Sequence, residues 1–166
     1  IYVFGHYFHR SDLTGSSVVS RERLSFMKAI ARRGMKMEEE TIAVFLDFEN
    51  LAVSAERSYP SREKPLKMTP MIDYMNTLGS VLLKKAYANW SRPIFHQYQQ
   101  GLSNSGFELI HLPETTGQGK NGSDVKLAID LMEHMEVYNT ISTYIIGSGD
   151  SDFVPLIQAI RKRGKR

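Results

Sequence analysis

From Thr41 onward, short apolar runs alternate with amphipathic helical patterns, and this alternation limits the fold more than any other feature of the chain. Residues 42–46 form a continuous apolar run of strand length, the pattern of a strand buried on both faces. Thr69-Pro70 opens a helix with proline at its first position, and Met71, Ile72, Met75 and Leu78 share one side before Gly79. Residues 81–90 read as a second strand. Residues 93–102 read as a helix with Phe95, Tyr98 and Leu102 on one side, stopped by Gly106, and 107–112 as a third strand. Val125, Leu127, Ala128, Leu131, Met132 and Met135 recur at helical spacing across 124–138. A fourth strand follows at 143–146, then a last helix at 153–162 that tolerates Pro155 in its first turn. Such an order predicts an α/β fold, a parallel sheet covered by helices on both faces. One more strand is expected after Gly164.

Four carboxylates stand at the junctions of these elements. Asp47 and Asp150 follow apolar strand runs, whereas Asp124 and Asp152 stand at the mouths of helices. Four converging acids without a basic partner repel one another; two like charges at 4 Å cost roughly 4 kcal/mol even at an effective dielectric of about 20. Such a cluster points to a divalent cation held by oxygen ligands. Taken singly, each acid also has a structural reading. Asp152 before Phe153 is a good N-cap, Asp124 can satisfy first-turn amides, and Asp150 between Gly149 and Ser151 suits a turn. Taken together they favour a site, because open α/β sheets bind ligands outside the carboxyl ends of their strands, where the strand order reverses.

Composition narrows the chemistry further. The chain has no cysteine, which excludes disulfides and thiolate zinc sites and fits a reducing compartment, with the cytoplasm as the expected location. No membrane-length apolar run and no signal-peptide pattern is present. Residues 1–36 hold seven Lys/Arg against Asp12 and Glu22, a net of +5. Residues 37–160 hold nine against sixteen Asp/Glu, a net of −7, and the tail from Arg161 adds five cations. An acidic body with basic ends suits both a metal site flanked by phosphate-binding groups and a plainly solvated surface. Met35-Lys-Met37 reads like a native start, so 1–36 reads as an expression remnant, a spurious upstream extension or an accessory segment. The chain thus divides into an N-terminal extension, 1–40, with an amphipathic helix at 20–33, and a domain at 41–166.

The segments IAVFLDFENL, GKNGSDVKLAIDLM and YIIGSGDSDFVPLI, with YANW at 87–90, resemble the NYN domain, of the LabA-like branch of the PIN-like nucleases. The resemblance covers about 41–166. It implies a Rossmann-like three-layer sandwich of strand order 3-2-1-4-5, with the fifth strand missing here. It also implies an Mg²⁺ or Mn²⁺ site and RNA cleavage by active members. By motif it assigns Asp47, Asp124, Asp150 and Asp152 to both metal binding and catalysis, with Asn50 and Ser148 in support. The RNA it implies is single-stranded or locally unpaired, and a homodimer is compatible with it.

The residues themselves agree with that chemistry, since carboxylate-held ions stabilise the charge developing on a phosphodiester. Asn50 suits either a ligand contact or a turn cap, and Ser148 either the orienting of Asp150 or an ordinary turn. Lys120, in the glycine-rich stretch 113–122, can meet a phosphate, although a solvated lysine is the favoured reading. Asp130, Tyr87, Trp90, His96 and His111 read as structural or surface residues. A haloacid-dehalogenase-type phosphatase needs Asp-x-Asp, and here Glu49 occupies the second position. The leading expectation is therefore a metal-dependent ribonuclease. Its alternative is a non-catalytic RNA-binding or regulatory module on the same fold.

Overall fold

A computed structural model describes residues 40–58, 66, 68–113 and 122–166. The expectations placed on the N-terminal extension and on Lys120 lie outside these residues. Strand β1, Thr41–Asp47, is buried along nearly its whole length, as its unbroken apolar run requires. It runs without a turn into helix α1, Phe48–Ser58, which the sequence reading did not anticipate. The signal was present in Phe48, Leu51, Ala52 and Ala55, at the spacing of one helical face. Asp47 caps this helix, its Oδ1 accepting from the Asn50 amide three residues on (3.3 Å).

Helix α2 is Met68–Leu78, strand β2 Ser80–Ala88 and helix α3 Pro93–Asn104. Strand β3 is Glu108–His111, helix α4 Gly122–Val137 and strand β4 Thr143–Gly147. A 3-10 turn at Ser151–Phe153 leads into helix α5, Val154–Lys162. The second strand ends two residues earlier than expected, which leaves Trp90 in the turn beyond it, its indole N–H donating to the Ile110 carbonyl (3.0 Å).

The four strands are all parallel, in the order β3-β2-β1-β4. The expected α/β sandwich and the first four places of its strand order are therefore observed. At the outer edge of β4 the Arg166 amide donates to the Ser142 carbonyl (2.9 Å), and the Tyr144 amide to that of Arg166 (2.5 Å). That alternation is the bonding of a parallel ladder. The expected fifth position thus carries one paired residue and no described strand.

Alternation along β1 divides the core in two. Ile42, Val44 and Leu46 face α1, α2 and α3, packing with Leu51, Met75, Phe95 and Leu102. Ala43 and Phe45 face α4 and α5, packing with Leu127, Leu131, Ile157 and Ile160. The chain changes faces when it crosses from β3 to β4, so the order reverses between β1 and β4. That reversal opens a crevice beyond their carboxyl ends. Among the described residues, no helix is long and apolar enough to cross a membrane.

Candidate active site

Asp47 ends β1, and Ser148 directly follows β4, its neighbour in the sheet. Both are almost fully buried, Asp47 at 2% exposure. The Ser148 hydroxyl donates to Asp47 Oδ2 (2.8 Å) and its oxygen accepts from the Asp150 amide (3.1 Å). Asp150 Oδ1 in turn accepts from the Asp152 amide (2.9 Å). One hydrogen-bonded chain therefore joins three of the four acids. It also corrects two assignments: Ser148 orients the side chain of Asp47 rather than that of Asp150, and the residue capping the 3-10 turn is Asp150 rather than Asp152.

Small residues let this turn approach α1. A Cβ at Gly147 would press on Leu46 and Leu51, at 2.5 and 3.3 Å. One at Gly149 would come to 3.0 Å from Asn50 Oδ1. Asn50 thus lies beside the Gly149 turn, its side-chain oxygen also accepting from the Ser54 hydroxyl (3.3 Å).

Burial pushes the Asp47 carboxyl up to about 6. The bonds from Ser148 and Asn50 oppose that shift, while the negative charges of Asp124 and Glu49 add to it. Burial also raises Asp124, in the first turn of α4, helped by the charges of Asp150 and Asp152. All four aspartates accordingly share one electrostatic neighbourhood. Among the described residues, none of them has a cationic partner within 4 Å. Nor, among those residues, do three His, Asp or Glu side chains converge closely enough to hold a metal ion as they stand. The result is an open ring of oxygen donors rather than a closed cage.

That donor set suits Mg²⁺ or Mn²⁺. Mg²⁺ commonly binds through one or two carboxylates, keeping waters and taking further oxygens from phosphate, so a cage of three converging acids is not required. The carboxylates that could offer such oxygens at this crevice are those of Asp47, Asp124, Asp150 and Asp152.

Other residues fall where their types suggest. Asp130 is buried against the sheet, bonded by the Tyr87 hydroxyl (2.9 Å) and the Lys126 ammonium (2.6 Å). Tyr87 and Trp90 are buried in the core, while His96 and His111 are exposed. The sequence reading missed a pairing on the flank of the crevice: the Arg92 guanidinium donates to Glu49 Oε1 at 2.5 Å. Glu49 entered that reading only as the residue that breaks Asp-x-Asp, and no spacing rule links it to a partner 43 positions away.

The family model of the NYN domain matches residues 41–166. This chain belongs to the NYN-domain family. That membership places it with the PIN-like nuclease superfamily, as its parallel sheet and acidic crevice fit. Among curated proteins none matches the chain significantly. Among solved structures, a protein of unknown function, VPA0982, from Vibrio parahaemolyticus RIMD 2210633 is similar. It is 26% identical, with a TM-score of 0.66, over 80% of this chain and 82% of that one. The similarity therefore spans most of both proteins.

Proposed function

We propose that this NYN domain is a metal-dependent ribonuclease that hydrolyses phosphodiester bonds of single-stranded RNA with Mg²⁺ or Mn²⁺. The observation that carries the reading is Asp47: a buried carboxylate at the carboxyl end of β1, free of any cation among the described residues and surrounded by further acids. A site that raises its own acids toward neutrality invites a cation. The ion would supply electrostatic stabilisation of charge developing on the phosphate.

The protein's own residues supply the rest. Ser148 and the Asn50 amide fix both oxygens of Asp47, so this ligand enters binding already oriented. Asp150, tied through its amide to Ser148 and through its carboxylate to the Asp152 amide, sets the far side of the crevice. Asp124 adds a further carboxylate from the first turn of α4.

A second reading, an RNA-binding or regulatory module without turnover, is favoured by the absence of closely converging acids among the described residues. Labelled single-stranded RNA incubated with Mn²⁺ separates the two. Under the nuclease reading, Asp47→Asn and Asp150→Asn each lower cleavage by at least about a hundredfold, the loss of several kcal/mol of transition-state stabilisation. RNA bound by the wild type without metal-dependent cleavage would support the second reading instead.

A further inference from the structure

An acidic crevice repels the polyanion it is proposed to cut, so a strand must be held by cations on its flanks. Among the described residues, the topology brings two to this end of the sheet: Arg92, in the turn after β2, and Lys126, in α4. Lys126 is tied to the buried Asp130 (2.6 Å). Arg92 is differently placed. Its side chain is 39% exposed, and its guanidinium carbon lies 5.2 Å from the centre of the Phe95 ring, beside Glu49.

Glu49 is the informative partner. Its carboxylate takes the Arg92 guanidinium on one oxygen (2.5 Å) and the Asn89 amide on the other (3.3 Å). A guanidinium fork beside a backbone N–H is the donor set that binds phosphate oxygens. Here an internal carboxylate fills it, close enough to Asp47 for its charge to be felt there. As a partly exposed ion pair (39% and 34%) the contact adds little to stability.

Resting on the ribonuclease reading, we propose that Arg92 and the Asn89 amide form a docking site for one backbone phosphate of the RNA, beside the acidic cluster. Glu49 occupies that site in the free protein and yields it to the incoming phosphate. Arg92 is then a binding and positioning residue, outside the chemical step. It sets where the strand lies on the β2 side of the crevice.

The test is fluorescence anisotropy of a labelled single-stranded oligouridylate over a range of NaCl concentrations, with Ca²⁺ as the divalent ion. Arg92→Gln is expected to bind roughly tenfold more weakly. The slope of log affinity against log salt should shrink by about 0.7, the share of one phosphate contact on a single strand. Arg92→Lys should restore the slope, because it restores the charge. Glu49→Gln should bind roughly fivefold tighter, a like charge having been removed from the site. In cleavage assays Arg92→Gln should raise KM with kcat little changed.

An unchanged slope in a folded Arg92→Gln variant overturns the proposal while leaving the ribonuclease reading intact. So does an equal loss of slope in Arg163→Gln, which removes a charge from the opposite end of the sheet. Weaker binding by Glu49→Gln with an unaltered melting temperature also overturns it. Failure of the wild type to bind the oligouridylate sinks the RNA reading itself, and this proposal with it.

Discussion

Asp130 and Asp47 are both buried aspartates, at 4% and 2% exposure, yet the molecule treats them in opposite ways. Asp130 lies between α4 and β2 with Lys126 and Tyr87 as donors. Burial pulls its carboxyl upward, but those partners outweigh burial and hold it below the usual carboxylate value. Among the described residues Asp47 has two neutral hydrogen bonds and no cation, so burial wins. The difference separates an acid whose charge the fold balances from one whose charge it leaves open. Where the chain completes the charge balance, the acid anchors a helix to the sheet. Where it leaves the balance open at the carboxyl end of a strand, the acid is available to a cation.

Two substitutions of the same chemistry should give opposite signs. The largest effect is expected for Asp47→Asn in chelator. The Asp47 carboxyl is raised in the folded protein from 3.8 to about 6, so the folded state binds its proton more tightly than the unfolded state does. The ionised form therefore destabilises the fold. That penalty is absent below about pH 4, grows between pH 4 and 6, and is complete above 6, at up to about 3 kcal/mol. Asparagine escapes it but, with a single acceptor oxygen, keeps only one of the bonds from Ser148 and the Asn50 amide, a pH-independent loss. Urea denaturation should therefore show the variant gaining on the wild type as pH rises from 4 to 7. A pH-independent difference would mean that Asp47 titrates normally.

Asp130→Asn should destabilise, by about 2 kcal/mol at pH 7, because it replaces an acceptor that receives a charge-assisted bond. The half-exposed position of Lys126 keeps the loss below that of a fully buried pair. Here the folded carboxyl lies below its unfolded value, so the stabilisation is present above about pH 4 and fades as pH falls through the folded value. Equal stability of this variant and the wild type across that range would erase the contrast between the two acids.

Much of this contrast could be read along the chain. The apolar run of β1, the helical spacing of Leu127, Leu131 and Met135, and the four acids at element ends were visible because each is a local pattern. Helix α1 escaped because the strand enters it without a glycine, a proline or a loop. The residue that caps it, Asp47, was already taken as a ligand. The role of Ser148 escaped because its hydroxyl partner, the Asp47 carboxylate, lies 101 residues away. That of Asp150 escaped because spacing does not say which of two nearby acids accepts from a turn amide. The anchoring of Asp130 needed Tyr87, 43 residues earlier and on strand β2 rather than on the helix of Asp130. Sequence spacing reports faces of single elements and is silent on such pairings.

The most direct test of the account is a thermal melt of the wild type and of Asp47→Asn, each with Mn²⁺ and with chelator, alongside calorimetric titration of Mn²⁺. If the open ring of acids is a cation site, Mn²⁺ binds the wild type and raises its melting temperature. The gain is about 2.7 kcal/mol at a hundredfold excess over Kd, and most of it disappears in the variant. Superimposable wild-type melting curves in Mn²⁺ and in chelator, with no heat of binding, would contradict the account.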